Sequence, residues 1–499
     1  MPITKTDYLE YTHCKKNLWL QKHKPELFEG VELSEFEKKI IEEGNIADEA
    51  ARNLFPGGEL IEIVGPNAAA QTKRLLDQHA KTGSPQTIFQ GGFLHEEFFV
   101  QADILHYNTT LQGFELFEVK ASNDVKREIP NHHINDLAFQ KTVIESTGVQ
   151  IVKTGVIHLS SQYRKHRTIN YQDLFIIADV TDEVLEAQQE VGEQMQELKA
   201  YLGMPEEHGC ECIYRGRSAQ CTTFAYSNPK VPEYSVHDIN RIGGSKKLLW
   251  DWIDRGIYAI EEIDNPEALK GAKRAQYDAY MLGKPLIDHE GIQEMLGELE
   301  FPLYFFDYEG YSSAIPKFDG FGAYEQTPFQ YSLHILGENG ELEQKEFLIT
   351  EPQGNLTRPL VERMREDIGD KGSVVAWHKS YEAQRNNKLA EVHPDYAVFL
   401  EEMNDRMFDL KDIFAKNLYV DAAFKGSASI KNILPVLVPE LTYKALGIQK
   451  GDQAVERWEK MIDPATTQEE KDQIAADLLE YCKLDTLAMV RIYQQLRQL

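Results

Sequence analysis

The sequence predicts a multidomain α/β protein, and three observations carry that expectation. A chain of 499 residues exceeds one ordinary domain and suggests two to four. Period-two alternation appears in two separate regions, residues 98–119 and 303–349, each flanked by segments of helical pattern. Between them, residues 233–298 read as helical, with a turn at Gly243-Gly244. A hydrophobic content of 42%, with 10% aromatic residues, is ample for globular cores.

Residues 1–60 read as helices. The first runs from about residue 7 to residue 22 and carries Cys14 beside Lys15 and Lys16. The second, residues 34–54, opens on a capping-box pattern, Ser34 followed by Glu37, and closes at Phe55-Pro56-Gly57-Gly58. The period then changes. Residues 98–105 (FFVQADIL) and 113–119 (GFELFEV) alternate as two strands of a meander joined by a turn around Asn108. Asp103 lies in the first strand, and Glu118-Val119-Lys120 ends the second, with Glu118 and Lys120 on one face and Val119 turned to the core. This set suits metal-dependent phosphodiester hydrolysis. Asp103 and Glu118 would hold Mg²⁺, which lowers the pKa of a bound water, and Lys120 would orient that water or stabilise the developing charge. A Glu-x-Lys pair alone is better read as an exposed cross-strand ion pair. Asp103 at meander spacing, and the helix that follows, favour the metal site.

This region resembles the PD-(D/E)xK nucleases, specifically the RecB-type branch that includes the CRISPR-associated adaptation nucleases. The matching residues are Asp103, the Glu118-x-Lys120 pair and Gln140, in DLAFQKTVIES on the next helix. The resemblance covers roughly residues 1–228. It implies a restriction-endonuclease-like fold in which Asp103 and Glu118 bind metal and Lys120 and Gln140 serve catalysis. Where the branch often has a histidine ligand on the early helix, GNIADEAARNLFPGG has Ala47 or Asp48, so either an acid such as Asp48 or Glu49 substitutes or the site binds metal less well.

The cysteines extend the resemblance. Iron–sulfur members of this branch staple the ends of the nuclease domain with one early and three late cysteines, here Cys14 with Cys210, Cys212 and Cys221. Four thiolates suit a [4Fe–4S] cluster or Zn²⁺ in a structural role. The C-x-C-x8-C spacing departs from the branch, and Ser227 stands near where its final cysteine would be. A polar helix over residues 184–202 leads into this segment, and Asn228-Pro229 through Pro232 reads as a boundary. Trp250 and Trp252 of the helical connector, residues 229–298, read as core in preference to a stacking platform for bases.

The second alternating region begins at residues 303–311, LYFFDYEGY. Asp307 and Glu309 are two apart in a strand and project together, and two such acids are reconciled by a divalent cation. Residues 329–336 and 345–349 continue an antiparallel meander around a turn at residues 337–340. A helix around residues 360–368 and a buried strand over 373–377 follow. Helices are expected from Tyr381 and from residue 408, and the last 30 residues form one carrying YCKLDTLAMVRIYQQL.

This order resembles the DEDD exonucleases of the RNase H-like fold, over residues 299–499. The first motif matches at Asp307 and Glu309. The second is offered by His378-Lys379-Ser380-Tyr381-Glu382, with Glu382 in the aspartate place and His378 in the asparagine place. The third is Tyr481 and Asp485, four apart on a helix and so on one face. The resemblance implies that Asp307, Glu309, Glu382 and Asp485 ligate two Mg²⁺ or Mn²⁺ ions while Tyr481 positions the nucleophile. Asp409 and Asp412 are runner-up acids, and Cys482 is expected to point elsewhere as a buried thiol. The two halves together resemble a family of predicted RecB-type nucleases found in bacteria and archaea.

Composition bounds the function. The net charge of −28 argues against non-specific coating of a duplex, which needs clustered basic side chains. No apolar run approaches a membrane span, the first residues lack a signal-peptide core, and no P-loop, H-E-x-x-H or G-x-S-x-G pattern occurs. The expectation is a cytoplasmic, ATP-independent exonuclease acting on single-stranded DNA in preference to RNA, in repair, defence or CRISPR-linked processing. An RNA exonuclease, or a nucleic-acid-binding scaffold with decayed sites, is the alternative.

Overall fold

The computed structural model describes residues 2–29, 35–352 and 356–499. The chain is mixed α/β and divides into two compact units. Unit 1 comprises Met1–Ile213, Gln220–Pro229 and Ser313–Glu325; unit 2 comprises Tyr214–Ala219, Lys230–Ser312 and Gln326–Leu499. No helix among the described residues is long and apolar enough to cross a membrane.

Unit 1 is built on a seven-stranded sheet. Its strands are β1 (Ile3–Thr4), β2 (Glu59–Leu60), β3 (Thr87–His95), β4 (Phe98–Asn108), β5 (Gly113–Lys120), β6 (Ile151–Leu159) and β7 (Phe175–Asp179). The order is β2-β3-β4-β5-β6-β7, with β1 added in parallel to β4. The meander of β4 and β5 is antiparallel, and Asn108 Oδ1 accepts from the N–H groups of Thr110 and Leu111 to close its turn. Strand β6 lies parallel to β5, so the chain crosses between them through a helix.

The helices are α1 (Lys5–His23), α2 (Glu35–Ala51), α3 (Ala68–Thr82), α4 (His133–Ser146) and α5 (Thr181–Leu202). Ser34, the expected cap of α2, lies outside the described residues. One core gathers Tyr8 of α1, Leu75 of α3, Leu137 of α4 and Val191 of α5 against Val100, Leu116 and Val156. A second gathers Ala47 and Ala51 of α2 with Ile104, Phe117, Val119 and Ile157. Neighbours Leu116 and Phe117 thus enter different cores, as alternation along a strand covered on both faces requires. Residues 313–325, expected in the C-terminal domain, cluster here. Their backbone is tied to unit 1 where Lys165 donates to Phe321 O at 3.0 Å and accepts from Gly320 N–H at 2.9 Å.

Unit 2 holds a five-stranded sheet. Strand β8 (Leu286–Ile287) stands apart from it; the sheet itself uses β9 (Leu303–Tyr311), β10 (Thr327–Leu336), β11 (Leu342–Leu348), β12 (Val374–Ala376) and β13 (Met407–Asp409). The order is β11-β10-β9-β12-β13, an antiparallel meander followed by two parallel additions. Residues 408–419 do not open as a helix: β13 pairs with β12, a single turn covers Asp412–Ala415, and β14 (Tyr419–Val420) follows. Short apolar runs fit either pattern, and here the parallel partner decides. Because β14 pairs with β8, the helical region 230–298 belongs to unit 2 and is not a free-standing connector. Within it, helix α6 (Lys246–Asp254) buries Trp252 completely, while Trp250 is half exposed and donates to Tyr214 O at 3.0 Å. The remaining helices that matter to the site are α7 (Lys379–Val392), α8 (Ile430–Leu437) and α9 (Gln468–Leu496), the last packed on β9 and β10.

Candidate functional site

In unit 2 the residues expected from sequence meet in one cavity of about 220 Å³. Strand β9 supplies Asp307 and Glu309, α7 supplies Glu382, and α9 supplies Tyr481 and Asp485. His378, Tyr381 and Trp377 complete much of the lining. Four carboxyl groups so gathered resist ionisation. Burial, then the neighbouring acids, raise Asp307 and Glu309 well above the carboxylate range. Burial also pushes Glu382 up to about 8, against the pull of Arg385, and Asp485 up to about 6. Glu382 is 1% exposed, and its Oε2 has no hydrogen-bond partner. An orphaned carboxylate oxygen beside three more acids fits a divalent cation, which takes hard oxygen ligands.

Two residues that the sequence reading did not mark act on these acids. The Tyr443 hydroxyl donates to Asp485 Oδ1 at 2.6 Å. Lys431 of α8 stands 5.9 Å from the Tyr481 ring centre and draws the pKa values of Glu309 and Asp485 down. Burial, then Asp485 and Glu309, raise the Tyr481 phenol, which therefore stays protonated. The runner-up acids lie elsewhere. Asp409 accepts from the N–H groups of His378 at 2.9 Å and Lys379 at 3.0 Å, capping α7, and Asp412 pairs with Lys416 at 2.9 Å. His378 is left-handed, with φ of 81°, a conformation costly outside glycine and held here by that cap. Cys482 is buried as expected, but it does not turn away: its Sγ lies 4.0 Å from Asp307 Oδ2.

In unit 1 the expected residues also converge, around Glu118. Lys120 Nζ stands 2.7 Å from Glu118 Oε1 and 2.8 Å from Asp136 Oδ2. Gln140 Nε2 donates to Glu118 Oε2 at 2.6 Å and to Asp136 Oδ1 at 2.8 Å. Asp103 Oδ2 accepts from Val119 N–H at 2.8 Å. Two further members were not read from sequence. Lys5, at the start of α1, reaches Glu118 Oε1 at 2.6 Å, and Asp136 lies one turn before Gln140. The i, i+4 spacing of Asp136 and Gln140 was the available signal; nothing local marks Lys5. Burial opposes the ionised form of Glu118, but Lys120 and Lys5 outweigh it and hold the carboxyl below its ordinary range. Asp103 is pushed up to about 7 by burial and by Glu118. Of the two substitutes for histidine, Asp48 acts electrostatically on Asp103, while Glu49 is exposed.

The four cysteines come together. One Sγ each from Cys14, Cys210, Cys212 and Cys221 lies within 4.8 Å of the others, and Cys210 and Cys221 are 3.8 Å apart. Cys14 breaks the helical path of α1, with φ of −154° and ψ of 97°, and so aims its thiol inward. Asn17 Oδ1 accepts from the Thr223 hydroxyl at 2.7 Å and the Thr222 hydroxyl at 3.1 Å, fastening the two chain segments beside the thiols. The 3.8 Å separation is about the edge of a tetrahedron of thiolates held roughly 2.3 Å from one ion. The donor set thus fits a soft metal. Ser227 is buried nearby in sequence but contributes no ligand sulfur.

Residues 304–429 match the model of a domain of unknown function (DUF2779), a stretch that includes Asp307, Glu309 and Glu382. Over 299 residues the chain is 25% identical to an uncharacterized protein of Ureaplasma parvum, covering 55% of this chain and 41% of that protein. Over 211 residues it is 30% identical to an uncharacterized protein of Mycoplasma pneumoniae, covering 38% of this chain and 31% of the relative. An uncharacterized protein of Mycoplasma genitalium is 28% identical over 207 residues, with the same coverage of 38% and 31%. The matched region spans less than half the length of each relative. No solved structure matches the chain.

Proposed function

We propose that the chain is a divalent-metal-dependent nuclease, an exonuclease acting on single-stranded DNA. The observation that supports it most is the convergence of Asp307, Glu309, Glu382, Tyr481 and Asp485 from separate elements in one cavity. On this reading unit 2 is an RNase H-like DEDD exonuclease, unit 1 a RecB-type PD-(D/E)xK nuclease, and the whole a RecB-family nuclease of the cytoplasm, independent of ATP. Asp307, Glu309, Glu382 and Asp485 would hold Mg²⁺ or Mn²⁺, which would supply positive charge to the attacking and leaving oxygens of an in-line displacement. The protonated Tyr481 hydroxyl orients the nucleophile by hydrogen bonding. In unit 1, Asp103 and Glu118 are the ligand acids, Lys120 offsets developing negative charge, and Gln140 fixes the Glu118 carboxylate. The four thiols hold a structural Zn²⁺ or [4Fe–4S] cluster.

A second reading, a binding scaffold in place of a nuclease, is favoured for unit 1 by one feature. Lys5 and Lys120 both neutralise Glu118, which leaves that carboxylate less charge to offer a cation. The test is digestion of end-labelled single strands of DNA and RNA with Mg²⁺ or Mn²⁺. Wild type, Glu118→Ala, Asp307→Ala and the double variant are compared. Intact strands with wild type would refute the nuclease reading; loss of cleavage in Asp307→Ala alone would make unit 1 a binding module. Faster digestion of RNA than of DNA would reassign the substrate.

A further inference from the structure

The thiol of Cys482 occupies an unusual place for a core cysteine. It follows Tyr481 and precedes Asp485 by three residues, a spacing that shares a helix face. Its Sγ lies 3.9 Å from the Asp307 backbone oxygen and 4.0 Å from Asp307 Oδ2. One ligand atom each from Asp307, Glu309 and Cys482 lies within 4.8 Å of the others. The side chain is wholly buried, so it is not a solvent-facing redox thiol. An independent feature points to a ligand in the cavity that Asp307 and Glu309 line. Glu382, itself 1% exposed, leaves Oε2 without a hydrogen-bond partner, and it is the strongest charged neighbour of Asp307. A buried oxygen of that kind is expensive unless a cation meets it.

We propose that Cys482 is a ligand of this centre, and that the Asp307–Glu309–Cys482 face takes thiophilic divalent cations, Zn²⁺ or Cd²⁺, in preference to Mg²⁺. The inference rests on reading the cavity as a cation site. Carboxylates alone select hard cations, and Mg²⁺ demands a near-octahedral oxygen shell. One sulfur among them tilts selection toward softer ions. Coordination replaces the S–H bond by an S–metal bond, and the released proton passes to the buffer. Zn²⁺ bound by these residues would therefore take the position at which Mg²⁺ or Mn²⁺ would serve hydrolysis and would arrest the centre.

The experiment uses the full chain as wild type, Cys482→Ser, Cys482→Ala and Asp307→Asn. Cys14, Cys210, Cys212 and Cys221 stay intact in all four, so any ion they bind is common to them. Cadmium NMR distinguishes mixed oxygen–sulfur ligation from all-sulfur ligation, and competition against Mn²⁺ is followed by electron paramagnetic resonance. The mixed-ligand signal should appear in wild type and vanish from both Cys482 variants. The Zn²⁺ concentration that displaces Mn²⁺ should rise at least about tenfold in them. A wild-type spectrum without the mixed signal, or equal displacement in wild type and Cys482→Ala, overturns the role of Cys482. If Mn²⁺ binding is still lost in Asp307→Asn, that failure leaves the nuclease reading standing; if Asp307→Asn binds Mn²⁺ like wild type, both fall.

Discussion

The Tyr443 hydroxyl donates a 2.6 Å hydrogen bond to Asp485 Oδ1. One oxygen of that carboxylate is thereby fixed. Groups that orient ligands typically matter 10- to 100-fold in metal affinity or activity. Tyr443→Phe should therefore weaken Mn²⁺ binding by about that factor while leaving circular dichroism unchanged. Calorimetric titration with Mn²⁺ checks it, and unchanged affinity would make Tyr443 a packing residue.

Tyr481 should divide binding from rate. Its phenol stays protonated in the cavity, so its part is donation and positioning and not proton abstraction. Tyr481→Phe should lower kcat by about 100-fold, the scale seen when one preorganised donor is removed. KM and Mn²⁺ affinity should change little. A rise in KM with kcat intact would instead assign Tyr481 to substrate binding.

The acids set a pH dependence whose sign can be worked out. Burial raises Glu382 to about 8 and Asp485 to about 6, above the values near 4 that both have when unfolded. Between about pH 4 and pH 8 the folded chain then holds protons that the unfolded chain has released. Without metal, stability therefore falls as pH rises through that window. A cation binds the ionised carboxylates and reverses the trend. The rise in Tm on adding Mn²⁺ should be larger at about pH 8 than at about pH 5.5. Equal increments would mean that the ion binds elsewhere.

The four thiols should stabilise unit 1. Cys14 joins α1 to the segment around Cys210, Cys212 and Cys221, so removing one ligand should loosen both. Cys14→Ser, or a strong chelator on wild type, should lower Tm and release metal measurable by elemental analysis. Zinc with no visible colour would identify a tetrahedral ion; iron with broad visible absorption would identify a cluster. Protein purified without either metal, and indifferent to chelator, would refute the site.

How much of this was legible in the sequence depended on separation along the chain. Asp307 and Glu309 share a strand face, and Tyr481 and Asp485 a helix face, so period alone pairs them. Lys5 and Glu118, 113 residues apart, meet only through β1 joining the sheet beside β4, and no local pattern foretells that. Tyr443 sits in a single turn with no periodic signal. Strands β3 and β6 alternate poorly because both of their faces are covered, the condition that erases a polar side. Cys482 could have been placed, since its spacing to Asp485 is three. The position of residues 313–325 in unit 1 could not, because their apolar residues would suit either core.

The most direct test of the unit 2 centre is a count of bound Mn²⁺ by electron paramagnetic resonance in wild type and Asp307→Asn, with cleavage of labelled single-stranded DNA followed in the same samples. A centre of two ions held by Asp307, Glu309, Glu382 and Asp485 requires that Asp307→Asn bind fewer Mn²⁺ ions than wild type and lose the cleavage that unit 2 performs. Wild-type Mn²⁺ stoichiometry and wild-type cleavage in Asp307→Asn would contradict it.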